Sequence, residues 1–171
     1  MTEIATTSRF VPATRLPESF TSAFEDLYTH AYRAAYRLIG IHQDSEDVAE
    51  EACAQACLRW DRLTRDGAAD PWVILSTTHL AIDQYRERAR TRAREGVPGL
   101  AQTLDRRRVE LHRALDQLTP RLRDVVVLRY VVDLSEADTA AALGCTTDTV
   151  KSQGARGLAL LRYALGEDDA P

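Results

Sequence analysis

The sequence predicts an all-α protein built as two small helical domains, and three observations carry that prediction. Apolar residues recur at three- and four-residue steps along most of the chain. No stretch alternates apolar and polar residues as a half-buried strand does. A Gly96, Pro98, Gly99 break divides the helical pattern into two sets. The length, 171 residues, suits one medium domain or two small ones. No internal repeat is visible.

Taken in order, residues 1–16 have no clear period and read as a loose tail. From Glu18 onward, Phe20, Phe24, Leu27, Tyr28, Ala31, Ala35, Leu38 and Ile39 share one face of a helix that Gly40 stops. A second helix is expected to start at Asp44 or Ser45, either a good cap, and to run through Trp60 on a stripe of Val48, Ala52 and Ala56. Asp44, Glu46, Asp47, Glu50 and Glu51 crowd its first two turns, where the helix dipole tolerates negative charge. Thr64 to Asp70 reads as a loop, and Pro71 suits a first helical turn. The pattern from Trp72 to about Arg94 is helical, with a basic end in Arg86, Arg88, Arg90, Arg92 and Arg94. These elements make a first domain over 17–95 and a linker over 96–108. The second domain, 109–165, opens on a Leu111, Leu115, Leu118 stripe ended by Thr119 and Pro120, and Leu122 to Val132 follows. Two segments, Ser135–Leu143 and Thr147–Leu165, then join at Gly144 and Cys145, and residues 166–171 form an acidic tail.

Lys and Arg total 22 against 26 Asp and Glu, a net charge of −4, which excludes a chain that is basic all over but not a local basic patch. Every basic residue except Lys151 is arginine, a skew that looks like a GC-rich coding genome. No run approaches the ~18 apolar residues of a membrane span, and the N-terminus lacks the pattern of a secretory signal, so a cytoplasmic location is expected. Three cysteines are too few for a disulfide framework. Cys53 and Cys57 share a helix face with only His42 near them, so packing is the expected role, not metal binding. Cys145 reads as a small buried residue of the turn. His30, His79 and His112 have no catalytic spacing and there is no phosphate-binding glycine loop, so neither an enzyme nor a cofactor or metal is expected.

Leu134 to Val150 reads as a helix-turn-helix. Ser135 caps a short helix with Asp138 at the capping-box position, Ala140 and Ala141 are small where two helices cross, and Gly144 supplies the positive φ of a tight turn. Thr146 or Thr147 caps the second helix and Val150 points back to the core. That leaves Thr149, Lys151, Ser152, Gln153 and Arg156 exposed where such a helix enters the major groove: Lys151 and Arg156 suit phosphates, and Thr149, Ser152 and Gln153 suit base edges. An ordinary helical hairpin is the bland alternative.

At this point the first half resembles sigma-70 region 2 and the second half sigma-70 region 4. The whole, over roughly residues 20–165, resembles an extracytoplasmic-function sigma factor of actinobacterial look. The residues that carry the resemblance are Asp44-Ser45-Glu46-Asp47-Val48, Leu80-Ala81-Ile82-Asp83-Gln84-Tyr85-Arg86 and Leu118-Thr119-Pro120-Arg121. Val125 to Tyr130, Leu134-Ser135-Glu136 and Thr149-Val150-Lys151-Ser152 complete the set. Their order and spacing together make the match.

The resemblance implies a factor that binds core RNA polymerase, through the β′ clamp helices and the β flap, and directs it to promoter DNA. Asp47, Glu50 and Glu51 match the core-binding helix, whose carboxylates suit a basic partner; a solvated face is the commoner fate of such charge. Trp72, Thr78, His79, Asp83, Gln84, Arg86 and Arg88 match the −10 reading segment, where aromatics stack on unpaired bases and arginines track the backbone. Core packing of Trp72 is an equal reading. The family usually carries Asn where this chain has His79. Thr147, Thr149, Lys151, Ser152, Gln153 and Arg156 match the −35 reader, with Asp148 in place of the usual small residue and Gly154 inside the helix at a cost of about 1 kcal/mol relative to Ala. An anti-sigma factor is an implied partner. Two other readings stand beside this one: a sigma-like interaction protein that binds an anti-sigma factor or polymerase without initiating, and a stand-alone helix-turn-helix regulator. Core binding without transcription would mark the first, and DNA binding without core the second.

Overall fold

The computed structural model describes residues 18–95 and 106–166. Helix α1 spans Glu18–Ile39, α2 His42–Cys57, α3 Trp60–Arg65 and α4 Ala69–Glu95. After the linker come α5 (Arg106–Asp116), α6 (Pro120–Val126) running into a π-helical stretch (Val127–Val131), α7 (Glu136–Leu143) and α8 (Thr147–Ala164). Among the described residues there is no strand, as the periodicity predicts. The expected loose tail, the Gly96, Pro98, Gly99 break and the acidic Glu167-Asp168-Asp169 end lie outside the described residues.

In the first half, α1, α2 and α4 pack side by side on alanines. Ala31 of α1 and Ala49, Ala52 and Ala56 of α2 are fully buried, and such small residues let helix axes approach. Phe20 meets Trp60 edge-on with ring centroids 5.1 Å apart, and the Trp60 indole donates to Ser19 Oγ at 2.8 Å. Several boundaries differ from the sequence expectation: α4 starts at Ala69, inside the stretch read as a loop, and α5 starts at Arg106, inside the expected 96–108 linker. Helix α2 starts at His42 behind Ile41, not at Asp44 or Ser45. Both polar residues are buried because they have other work: Ser45 Oγ donates back to the Ile41 carbonyl at 2.7 Å, and Asp44 ion-pairs with Arg88 of α4 at 2.6 Å. The helix also breaks at Leu58 and Arg59, so Trp60 belongs to a separate short helix that reaches into the stretch read as a loop.

In the second half, α8 lies close against α6. A Cβ built on Gly157 would stand 2.5 Å from Val126 Cγ2, and one on Gly154 3.2 Å from the Tyr130 hydroxyl. Gly154, which looks like a defect of a DNA-facing helix, is instead buried on the packing side and makes room for α6 and the π stretch. The caps follow the sequence. Ser135 Oγ accepts from Asp138 N, Thr146 Oγ1 accepts from Thr149 N, and Gly144 turns the chain between α7 and α8 at φ 61°. Of the two alanines expected at the crossing, Ala140 is buried and Ala141 is exposed.

The halves close on one another. Leu38 and Ile39 of α1, Ala81 and Ile82 of α4, and Leu115 and Val126 of the second half belong to one apolar cluster. A polar seam rings it. His112 Nε2 donates to the Leu38 carbonyl at 2.9 Å while its ring stacks on Tyr85, centroids 3.5 Å apart. Arg37 donates to the Val131 and Val132 carbonyls at 3.2 and 2.7 Å.

Candidate nucleic-acid interface

Along α8 the buried positions are Val150, Gly154, Gly157 and Leu161, a stripe that fixes which side faces out. Thr149, Ser152, Gln153 and Arg156 stand at i, i+3, i+4 and i+7 and therefore share one face. Their polar tips are lightly committed. The Thr149 hydroxyl meets that of Thr146 at 2.9 Å and Ser152 Oγ donates to the Thr149 carbonyl at 3.1 Å, whereas Gln153 is only partly exposed and its Oε1 is buried without a hydrogen-bond partner. Lys151 lies on the other flank, its ammonium 3.7 Å from Glu136 of α7. Thr147 is exposed in the first turn beside Asp148. The expected −35 set thus resolves into a four-residue face plus two flanking residues.

The expected −10 set does not stay together, because seven residues spread over Trp72 to Arg88 cannot share one side of a 3.6-residue helix. Trp72 is half-buried against the first-half core, with the Arg59 guanidinium 5.5 Å over its ring. Thr78 is fully buried, its hydroxyl donating to the Leu75 carbonyl at 2.8 Å, so it presents nothing to DNA. Arg88 is held by Asp44, as above. His79 and Arg86 point at the second half: His79 Nε2 is 2.9 Å from Asp124 of α6, and Arg86 Nη2 is 2.6 Å from Asp116 of α5. Hydrogen bonding to Asp124 raises the His79 pKa, against burial and the nearby Arg123 charge. Asp83 is exposed and 3.4 Å from Arg86.

Asp83 and Gln84 also line a cleft of about 290 Å³ between α4 and α2, opposite Asp47 and Glu51. Glu87 joins them there, so Asp47, Glu51, Asp83 and Glu87 form an acidic cleft that no single stretch of sequence displays. Asp47 and Glu51 accept from Gln43 and Gln55 one turn away, at 3.3 and 2.8 Å. Glu50 lies on the other flank, near Tyr28 of α1, whose pKa rises through burial first and then the Glu46 and Glu50 charges. Sequence reasoning missed Arg59, Glu87, Asp116 and Asp124. Only the one-turn steps Asp83–Glu87 and Asp47–Glu51 offered a signal in advance. Cys53 is buried, which pushes its thiol up to about 11, and no metal-holding cluster occurs among the described residues.

An all-α chain with an acidic helix in one half and a capped helix-turn-helix in the other, its outer face polar, is a helix-turn-helix protein of the DNA-binding class. The comparisons narrow that class. Residues 23–91 match Sigma-70 region 2 and residues 108–161 match Sigma-70, region 4. The chain is 34% identical over 148 residues to the RNA polymerase sigma-E factor of Streptomyces avermitilis, covering 80% of this chain and 79% of that one. It is 33% identical to the ECF RNA polymerase sigma factor SigE of Mycolicibacterium smegmatis, covering 80% of this chain but only 57% of that longer protein. It is 27% identical to the RNA polymerase sigma factor SigV of Bacillus subtilis, at 81% and 86% coverage. The chain belongs to the sigma-70 family and, within it, to the extracytoplasmic-function sigma factors. Two solved structures share its fold. The sigma factor RpoE in complex with the anti-sigma factor NepR from Bartonella quintana has a TM-score of 0.55 at 22% identity, over 90% of this chain and all of that one. CnrH in complex with the cytosolic domain of CnrY has a TM-score of 0.59 at 22% identity, over 88% and 90%. Among the described residues no helix is long and apolar enough to cross a membrane.

Proposed function

We propose that the chain is a promoter-directing sigma subunit of bacterial RNA polymerase, acting in the cytoplasm without catalysing a reaction itself. The observation that carries this reading is the α8 face on which Ser152 and Arg156 are exposed and Thr149 and Gln153 half-buried, beside well-formed caps and backed by a packed stripe. In this reading that face meets the −35 element, with Thr147 and Lys151 contacting the backbone on either side. Asp47, Glu50 and Glu51, extended by Asp83 and Glu87, offer a carboxylate surface to a basic element of the core enzyme. Trp72, His79 and Arg86 serve the −10 element, with Gln84 at the margin. An anti-sigma factor is a fitting further partner, since one solved neighbour is in complex with the anti-sigma factor NepR and the other with the cytosolic domain of CnrY.

Run-off transcription tests the reading. The full chain is added to sigma-free core polymerase with fragmented host DNA, and transcript starts are sequenced. Discrete starts that share two upstream elements are expected. No starts despite core binding would favour the second reading, a sigma-like interaction protein that does not initiate. One observation supports that second reading: His79 and Arg86 are held by the chain's own carboxylates.

A further inference from the structure

A cleft of about 450 Å³ lies between α4, α5 and α6. Four guanidinium groups line it: Arg86 and Arg90 one turn apart on α4, Arg113 on α5 and Arg123 on α6. Asp116 is the one carboxylate among the described residues that line it. The whole chain carries a net charge of −4, so this concentration of positive charge is local and does not follow from composition. His112, also in the wall, adds no charge, because burial lowers its pKa and its Nε2 donates to the Leu38 carbonyl. Two of the four guanidinium groups are already held in place. Arg123 donates from Nε to the Leu115 carbonyl at 2.8 Å and from Nη2 to the Leu118 carbonyl at 3.1 Å, acceptors that carry no formal charge. Arg86 is aligned by Asp116, with Nε and Nη2 at 3.1 and 2.6 Å from one oxygen. Arg90 and Arg113 are exposed, and Arg113 has no ion pair among the described residues. Asp83 and Glu87 neighbour Arg86 and Arg90 at 3.4 and 3.3 Å, in exposed pairs of little strength that a phosphate can displace.

We propose that this cleft binds a small molecule carrying two or more linked phosphate groups, with Arg123 and Arg86 as fixed anchors and Arg90 and Arg113 closing on it. Guanidinium forks match phosphate oxygens in charge and geometry, and forks fixed in advance lose less freedom on binding. A single phosphate presents too few oxygens to occupy four forks at once, so linked phosphates suit the charge better. The volume falls in the small-molecule range of about 300–1,000 Å³. A nucleic-acid duplex is too wide to enter such a cleft and would only lie across its mouth. Asp116 is the internal competitor, because it occupies the Arg86 fork that a phosphate would take. The shared chemistry has two sources, an inorganic phosphate chain and a nucleoside polyphosphate.

The test uses the full chain at constant pH and ionic strength, with tripolyphosphate as the probe in isothermal titration calorimetry. Tripolyphosphate is expected to bind one to one and about tenfold or more tightly than orthophosphate. The double variant Arg90→Gln, Arg113→Gln changes only exposed side chains and should weaken tripolyphosphate binding about tenfold. Arg62→Gln, Arg65→Gln on the exposed side of α3 removes the same charge elsewhere and should bind as the native chain does. Asp116→Asn removes the competitor and should tighten binding roughly threefold. Adenosine triphosphate run in parallel separates the sources: tighter binding than tripolyphosphate assigns a nucleoside polyphosphate, and equal or weaker binding an inorganic chain. No binding by the native chain, or binding that falls equally in the two double variants, overturns the site. A single-stranded oligonucleotide that displaces tripolyphosphate and loses affinity in the Arg90→Gln, Arg113→Gln variant would assign the cleft to nucleic acid and overturn the small-ligand reading.

Discussion

Helices α4 and α8 are both DNA-facing candidates, yet the fold treats them in opposite ways. The polar face of α8 looks outward, and Lys151 on its flank stands 3.7 Å from Glu136. On α4, His79 and Arg86 stay partly exposed but are ion-paired to Asp124 of α6 and Asp116 of α5, and Thr78 is buried. The difference teaches that a cationic side chain on a long helix has no fixed destiny. Arg156 at the open edge of one domain is free to meet a phosphate, whereas Arg86 under a neighbouring domain is claimed by the nearest carboxylate.

The strongest way to break the comparison is to remove what closes α4. Leu115 is buried in the cluster shared by both halves, so Leu115→Ala is expected to cost about 2–5 kcal/mol. Both tryptophans, Trp60 and Trp72, lie in the first half. If the halves unfold as one unit, the fluorescence midpoint in urea shifts as far as the circular dichroism midpoint. A fluorescence transition that stays put would show that α4 is closed without shared stability.

Next in size is the support of α8. Gly157→Val places branched carbons where a single Cβ already meets Val126 at 2.5 Å, and a loss of about 1–3 kcal/mol in thermal or urea unfolding is expected. An unchanged midpoint would mean that α6 and α8 separate without cost. Arg156→Ala leaves the packing alone and should weaken binding to a promoter obtained by run-off by about 1–2 kcal/mol, with a smaller salt slope in the binding isotherm. Equal affinity with and without the guanidinium would take this residue off the reading face.

The smallest expected effect sharpens the seam. His112 is held neutral under Tyr85 by burial, with Arg86 and Arg108 lowering its pKa further. A group whose folded pKa is depressed below about 6.5 stabilises the closed form above that value and withdraws the contribution as pH falls below it. Urea midpoints should therefore decline on the acid side in the native chain and decline less in His112→Gln. Parallel curves would assign the acid loss to carboxylates instead.

Much of this was legible in the residue order. The caps and turn of the helix-turn-helix were legible because they are local: Ser135, Gly144 and Thr146 act on atoms within four positions of themselves, whereas the exposure of Ala141 was not. The outward side of α8 followed from periodicity once Val150 was placed inside. The start of α2 was misjudged for a physical reason: Asp44 and Ser45 are good caps in isolation, but Arg88 lies 44 residues away and takes the carboxylate. Gly154 misled for a similar reason, since a helical glycine looks costly until the tyrosine lying against it is known.

By itself, then, the sequence determined the helical class, the two-part organisation of apolar stripes, the helix-turn-helix and the family, all of which depend on spacing and neighbours close in the chain. Only the tertiary structure decided which residues of α4 face solvent, which carboxylates meet at the acidic cleft, and that Asp124 and Asp116 pair with His79 and Arg86. Those outcomes depend on pairs 30 to 45 residues apart, brought together by burial of a common apolar surface that carries no local signal.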